Sequence, residues 1–157
     1  MIDQHPDIPE VPGSADLEAI GKACFALHAR MTARLLSRAY EAAMRPCGLT
    51  VAQFGLLGTI GHGGTMSETA LAEGLGLERT TLIRNLKILA KKGWVEPARG
   101  DGGGLRHRLT PAGAEVLRAA IPLWQTAQHE VESRLAGADP DEIRHAMRVL
   151  RKAAYPR

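Results

Sequence analysis

The sequence predicts a mainly α-helical protein that carries one short β-hairpin. Leu and Ala dominate the apolar positions, and these positions recur at three- and four-residue steps over most of the 157 residues. The pattern changes between Trp94 and Leu109, around a run of glycines that is typical of a hairpin tip. Because 45% of the residues are hydrophobic, the chain can bury a core.

The first predicted helix is long. Its apolar residues follow helical steps from Leu17 to Leu35, and the pattern continues to about residue 43. Residues 1–13 hold four prolines or glycines and no periodicity, so we expect a flexible arm ahead of the helix. Pro46 and Gly48 should end the helix and turn the chain.

Two short helices should follow, joined by a tight turn. Thr50 and Gln53 have the spacing of a capping box for a helix that runs to about Ile60, where Gly-His-Gly-Gly breaks the pattern. Ser67 can cap a second short helix through about Leu75. This arrangement is the outline of a helix-turn-helix motif.

The next helix, within residues 77–94, is both amphipathic and basic. Leu82, Leu86 and Leu89 share one side of it. Residues 78–108 hold eight basic and three acidic side chains, whereas the rest of the chain holds 12 basic and 14 acidic ones. A local excess of +5 is expected where one face meets a polyanion, although a solvated basic surface gives the same pattern.

A hairpin and two more helices complete the predicted fold. Residues 94–98 and 105–109 are predicted strands, with residues 99–104 as the tip of a wing. Thr110 and Pro111 should open a long helix to about residue 135, and a final helix should span about 140–155. The fold class is therefore mainly α: a winged helix-turn-helix, about residues 48–110, between terminal helices whose apolar faces need a partner.

The basic helix carries the residue types that contact duplex DNA. An α-helix fits the major groove, where hydroxyls and long cations meet phosphates and base edges. The candidate contacts on this helix are Thr80, Thr81, Arg84 and Lys87.

Other roles remain open for several residues of this helix. The two threonines can instead cap it, and Ile83 can touch a thymine methyl or be buried. Asn85 can bond a backbone group within the domain. Lys91 and Lys92 suit DNA or the negative end of the helix dipole equally well.

Two arginines flank the tip of the wing. Arg99 and Arg106 are candidate contacts to a minor groove, although exposed arginines without a role in DNA binding fit the same positions.

Three motifs in this order resemble the MarR family of bacterial transcription regulators: GLTVAQFGLL, LAEGLGLERTTLIRNLKILAKKGWV and LTPAGAEVL. The resemblance covers about residues 17–155 and places the family's recognition positions on the four helix candidates named above. It implies a homodimer joined by the terminal helices, here about 14–44 and 111–155. It also implies a repressor or activator that binds a pseudo-palindromic operator.

The wing departs from the family pattern. An Asp-x-Arg motif is common there, whereas Asp101 is followed here by Gly102 and Gly103. Arg99 or Arg106 would have to replace the missing arginine, or the wing would contact DNA weakly.

The resemblance also implies a signal that releases DNA, either a small phenolic or aromatic effector or oxidation. The candidate ligand-binding residues are Cys24, His28, Phe54 and Trp124, all of which also fit a core or an interface. The segment at Cys24 resembles the sensing helix of organic-hydroperoxide regulators, but His28 and Arg38 stand where those regulators have tyrosines. We therefore expect Cys24 to be a small apolar residue, and a thiol-based redox sensor is the alternative.

Other classes of function lack support in the sequence. No apolar run reaches the roughly 18 residues that span a bilayer, and no signal peptide is recognisable, so a cytoplasmic protein is expected. Cys24 and Cys47 match no disulfide framework or zinc pattern. No catalytic motif is present, so we expect neither an enzyme nor a cofactor. The competing class is a winged-helix module that binds protein and has weak affinity for DNA.

Overall fold

A computed structural model describes residues 13–98 and 105–154 and confirms the mainly helical winged fold. The helices are α1 (Ser14–Ala23), α2 (Phe25–Met44), α3 (Val51–Gly63), α4 (Glu68–Leu75), α5 (Arg79–Lys91), α6 (Pro111–Ser133) and α7 (Pro140–Ala154). A short 3₁₀ helix, Arg45–Cys47, follows α2. The chain divides within α2 into two compact units, residues 1–37 and 38–157.

The described residues form one three-stranded antiparallel sheet. Its strands are β1 (Met66–Ser67), β2 (Val95–Ala98) and β3 (Arg106–Leu109), in the order β1-β3-β2. The predicted hairpin is confirmed, since β2 and β3 each lie within one residue of the predicted bounds. β1 was not predicted, because two residues are too few to show the alternation of a strand.

The hydrophobic core of the second unit holds the helix-turn-helix together. It draws fully or almost fully buried residues from α3, α4, α5, β2 and α6: Leu56, Leu57, Ile60, Leu71, Leu82, Leu86, Leu89, Val95 and Ala120. Burial of each leucine or isoleucine stabilises the fold by about 1.5–3 kcal/mol. This core fixes the side of α5 that faces outward.

Local hydrogen bonds confirm the predicted helix starts. The Thr50 hydroxyl accepts from the amide of Gln53, and the Gln53 side chain accepts from the amide of Thr50, both at 3.2 Å. Ser67 Oγ accepts from the amide of Ala70 at 3.2 Å. These bonds satisfy amides that the first turn of a helix leaves without partners.

The first predicted helix is interrupted, which corrects the expectation of a continuous helix over residues 14–43. Cys24 has an extended backbone (φ −74°, ψ 104°) and separates α1 from α2. The ring Nε2 of His28 lies 3.2 Å from the carbonyl oxygen of Lys22, which belongs to the last turn of α1. One extended residue without Gly or Pro leaves the apolar period almost unchanged, so the sequence does not reveal the break.

The predicted end of α3 at Ile60 was also wrong, because the helix continues to Gly63. A Cβ atom on Gly61 would lie 3.0 Å from a methyl of Leu109, and one on Gly63 would lie 2.5 Å from the sulfur of Met66. These glycines let neighbouring side chains approach the helix. Gly64, with φ at 68°, ends it.

Apolar side chains lie exposed on the terminal helices. In the first unit they are Leu17, Ile20, Phe25, Leu27 and Met31, followed by Leu35. In the second unit, α7 has no buried residue, and Met147 and Val149 are exposed. Within the described chain these side chains therefore remain accessible to a partner.

A chain of polar contacts joins α2, α6 and α7 in the second unit. The Tyr40 hydroxyl donates to Gln128 at 2.5 Å, and Gln128 donates to Glu132 at 2.7 Å. Arg144 then donates to Glu132 at 2.8 Å and to Asp141 at 2.9 Å. Hydrogen bonds from Gln128 and Arg144 lower the pKa of Glu132, whereas burial raises the pKa of Tyr40.

Candidate nucleic-acid interface

Helix α5 is fixed in place by its leucines and by the turn before it. Leu82, Leu86 and Leu89 are at most 3% exposed, as the sequence predicted. Gly76, with φ at 61°, turns the chain out of α4, and the amide of Leu77 donates to the carbonyl of Ala72 at 2.9 Å. Glycine adopts this left-handed conformation without steric strain, so the turn can be tight.

The outward side of α5 carries the candidate DNA contacts. Thr80, Arg84 and Lys87 are exposed, and they line a shallow depression of about 410 Å³ together with Ile83 and Ile88. Thr81 is half-buried beside this surface. The surface thus combines a hydroxyl, two cations and branched apolar side chains, which are the groups that meet phosphates, guanine edges and thymine methyls.

Capping does not account for the two threonines. The helix begins at Arg79, and Glu78 occupies the N-cap position without a capping bond from its side chain. Thr80 and Thr81 therefore lie in the first turn, past the N-cap position. Asn85 donates its side-chain amide to the carbonyl of Thr81 at 3.0 Å, which confirms the alternative in which Asn85 bonds within the domain.

Lys92 has contacts within the fold. Its Nζ donates to the carbonyl of Gly48 at 2.8 Å and lies 4.3 Å from the centre of the Trp94 ring. This hydrogen bond and cation–π contact join the end of α5 to the turn before α3. Lys91, the last residue of α5, is exposed where a cation interacts favourably with the helix dipole.

Hydrogen bonds join the base of the wing to the start of α6. The amide of Thr110 donates to the carbonyl of Trp94 at 3.1 Å, and its hydroxyl donates to the carbonyl of Gly93 at 2.6 Å. Thr110 Oγ1 also accepts from the amide of Gly113 at 3.0 Å. A Cβ atom on Gly113 would lie 1.9 Å from the carbonyl oxygen of Trp94, so the contact requires glycine.

Of the two candidate arginines of the wing, Arg106 lies within the described residues. Arg106 is half-buried and donates Nη1 to the carbonyl of Thr65 at 3.2 Å, which leaves other guanidinium donors for a second partner. Arg108, exposed on the same strand, pairs with Glu96 at 2.7 Å. Arg99 and the segment from Asp101 to Gly103 lie outside the described residues.

His107 is not among the candidate residues predicted from the sequence. This residue of β3 is 7% exposed and lies 3.3 Å, through Nε2, from a carboxylate oxygen of Glu68. The available signal was its position between Arg106 and Arg108, because alternation in a strand directs the middle residue to the opposite, inner face.

Comparisons with known proteins identify the family. The sequence model of the MarR family matches residues 48–103. The chain is also similar to the M. tuberculosis transcriptional regulator MosR, with 36% identity over 85% of this chain and 96% of that chain and a TM-score of 0.75. This chain belongs to the MarR family.

Two similar MarR-family structures contain DNA. MosR in complex with DNA is 39% identical over 83% of this chain and 96% of that chain, with a TM-score of 0.74. A mutant of E. coli MarR complexed with operator DNA shares 24% identity over 86% of this chain and 96% of that chain, with a TM-score of 0.72, and it supports the fold. A search of curated protein sequences found no significant match.

The four candidate ligand-binding residues of this MarR-family chain fall into two pairs. In the second unit, Phe54 and Trp124 stack with ring centroids 6.3 Å apart and planes 24° apart, and both are half-buried against the core. In the first unit, Cys24 is half-buried and His28 is exposed. The amide of His28 donates to the carbonyl of Cys24 at 3.1 Å.

Two further features of this MarR-family chain concern only the described residues. None of the described helices is both long enough and apolar enough to cross a bilayer. Residues 13–98 and 105–154 also contain no group of three or more His, Cys, Asp or Glu side chains suited to a metal ion.

Proposed function

We propose that this MarR-family chain is a ligand-responsive repressor that binds a pseudo-palindromic operator as a homodimer. The outward side of α5 carries the proposal. Thr80, Arg84 and Lys87 lie exposed there, while leucines anchor the opposite side in the core. The similarity to MosR, which was solved in complex with DNA, supports this use of the helix.

Each side chain of this surface has a role that suits its chemistry. Arg84 can bind a guanine edge or a phosphate with two parallel hydrogen bonds, and Lys87 contacts phosphate as a point charge. The hydroxyls of Thr80 and Thr81 contact phosphate or base near the helix start. Ile83, together with Ile88, offers an apolar contact for a thymine methyl.

The wing extends the proposed surface. Arg99 and Arg106 would contact the backbone or minor groove beside the site of α5. Arg106 is already held by the carbonyl of Thr65, so its guanidinium is oriented before DNA binds.

The terminal helices, about 14–44 and 111–155, are proposed to join two copies. The exposed apolar residues on α1, α2 and α7 support this, since such faces on a folded chain indicate an interface. A symmetric dimer presents two α5 helices to half-sites about 34–36 Å apart, which explains why the operator would be pseudo-palindromic. We accordingly propose a cytoplasmic regulator and not an enzyme.

The releasing signal is proposed to be a small aromatic or phenolic compound. The stacked rings of Phe54 and Trp124 support an aromatic ligand, because a third ring can extend such a pair. On the family resemblance, Cys24 and His28 are also proposed to contact the effector.

Binding to duplex DNA over a series of salt concentrations tests the proposal. An operator is first selected from random duplexes, and the affinities of the parent and of Arg84→Ala are then measured by fluorescence anisotropy. We expect a steep salt dependence for the parent, because each neutralised phosphate contributes a slope of about −0.9. Arg84→Ala should weaken binding by ~1–3 kcal/mol, the range for removing an arginine that binds a guanine edge.

Arg118→Ala is the matched control. Arg118 is an exposed arginine of α6 that pairs with Glu115, so its removal deletes the same charge away from α5. The control should bind like the parent. Failure to select any duplex, or equal losses of affinity in the two variants, would contradict the proposed role of α5.

A further inference from the structure

His107 occupies a position where a residue that only filled space would be apolar. It lies in the central strand of the sheet, opposite Met66 of β1 and Pro97 of β2, and is 7% exposed. Its ring nitrogen Nδ1 is buried, and among the described residues it has no hydrogen-bond partner. Burial of an unpaired polar atom costs free energy, so packing alone does not account for a histidine here.

The other ring nitrogen connects the wing to α4. His107 Nε2 lies 3.3 Å from Oε1 of Glu68, the first residue of α4, and the Glu68 side chain is 18% exposed. In a neutral ring, the Nε2–H tautomer donates to this carboxylate, and Nδ1 carries the unpaired lone pair. The hydrogen bond thus fixes one carboxylate oxygen of Glu68 from the side of the sheet.

The second carboxylate oxygen of Glu68 faces the recognition helix. Its Oε2 lies 3.9 Å from Nη2 of Arg79, the first residue of α5. Arg79 is 80% exposed, so the ion pair by itself contributes little to stability. It brings the Arg79 side chain toward α4 at the N-terminal end of α5, next in sequence to Thr80.

We propose that His107 is a positioning residue for DNA binding, acting through Glu68 on Arg79 and the start of α5. The proposal rests on the proposed function, since it assumes that α5 and the wing contact one duplex. Two elements that bind the same rigid ligand form all their contacts only if their relative placement is held. The link from His107 to Arg79 adds to the restraint that the hydrophobic core already places on α5.

Two single variants and their combination test the link. His107→Val removes both ring nitrogens but keeps an apolar, β-branched side chain suited to a buried strand position. Glu68→Ala breaks the link at its centre. We expect each variant to bind the selected operator about tenfold more weakly, within the range known for residues that act at a distance.

The double variant should bind no more weakly than either single variant, because all three break the same connection. His107→Gln, whose side-chain amide can still donate to Glu68, should recover most of the affinity. The thermal midpoint of His107→Val should stay close to that of the parent, because removal of the unpaired buried nitrogen offsets loss of the hydrogen bond to Glu68. A residue that acted only in the core would give the opposite pattern: altered thermal stability with unchanged affinity.

The outcomes separate this proposal from the proposed function. If the parent binds no duplex, the proposed function fails. If the parent binds and Arg84→Ala weakens it while His107→Val and Glu68→Ala bind like the parent, only the role of His107 fails. If His107→Val does not fold, Glu68→Ala decides, and parental affinity in that variant overturns the link.

Discussion

Arg84 in the middle of α5 and Lys92 at its C-cap carry the same charge but differ in their surroundings. Arg84 is exposed beside the depression on the outward side, where it can reach a duplex. Lys92, by contrast, donates to the carbonyl of Gly48 and covers the ring of Trp94. The same positive charge is therefore available for the proposed DNA contact at Arg84 and is used within the fold at Lys92.

At the base of the wing, Gly113 packs directly against the backbone of Trp94. We predict that Gly113→Ala destabilises the fold by about 1–3 kcal/mol, the range for a side chain forced into a packed site. The added methyl would lie 1.9 Å from the carbonyl oxygen of Trp94, so the wing or α6 would have to move. Urea unfolding followed by circular dichroism measures the effect.

Gly58→Ala is the control for this substitution. Gly58 lies within α3, and a Cβ atom there has no neighbour within 4 Å. Alanine is favoured over glycine in a helix by about 1 kcal/mol, so this variant should be at least as stable as the parent. Equal changes in the free energy of unfolding in the two variants would show that the backbone at Trp94 moves at little cost.

Helix α7 makes polar contacts with the rest of the second unit. It contributes no buried residue, and Arg144 joins it to Glu132 of α6. Glu132 also accepts a hydrogen bond from Gln128, which in turn accepts one from Tyr40. The position of α7 should therefore respond to the charge on Glu132.

We predict that acid lowers the free energy of unfolding more in the parent than in the Glu132→Gln variant. Hydrogen bonds from Gln128 and Arg144 lower the pKa of folded Glu132 below its ordinary value of 4.5. Ionised Glu132 therefore stabilises the fold above pH 4.5, and this contribution is lost as the pH falls through the lower pKa of the folded state. Free energies of unfolding at neutral pH and below pH 4.5, at one protein concentration, measure the difference.

Glu115→Gln controls for the loss of one negative charge from α6. Glu115 is exposed and pairs with Arg118, away from α7. Comparison with this variant separates the contacts of Glu132 from the change in net charge. Identical acid dependence in the parent and in Glu132→Gln would show that the contacts to Arg144 do not stabilise α7.

At the level of elements, sequence patterns located helices better than their interruptions. Thr50 with Gln53, Ser67 and Thr110 each marked a helix start correctly, because capping bonds form within three residues. The break at Cys24 and strand β1 escaped prediction. The break changes one residue, and β1 is stabilised by pairing with β3, about 40 positions away.

Across the whole molecule, apolar and basic surfaces lie on different parts of the chain. Most of the large apolar side chains that are exposed lie on the terminal helices, while the local excess of positive charge lies in residues 78–108. This separation suits a protein that uses one surface for a second copy and another for a polyanion.

We predict that Met31→Glu converts the proposed dimer into monomers. Met31 is 51% exposed on the apolar side of α2, and two glutamates brought into an apolar interface would be desolvated. Light scattering coupled to size-exclusion chromatography gives the mass. Operator affinity should fall in parallel, because a monomer binds one half-site.

Ala33→Glu is the control for charge on the same helix. Ala33 is exposed, and two helical positions turn it roughly 200° from Met31. This variant should keep the mass and affinity of the parent. If Met31→Glu still forms dimers and binds the operator as tightly as the parent, this side of α2 is not part of the interface.

The sequence by itself determined the fold class, the family resemblance and the outward side of α5. These properties depend on local periodicity, capping and short motifs, which are all encoded within a few neighbouring residues. Tertiary structure decided how Lys92, Arg106 and His107 are used, because their partners lie 44, 41 and 39 positions away. A polar side chain has no preferred partner until folding brings distant groups within hydrogen-bond distance.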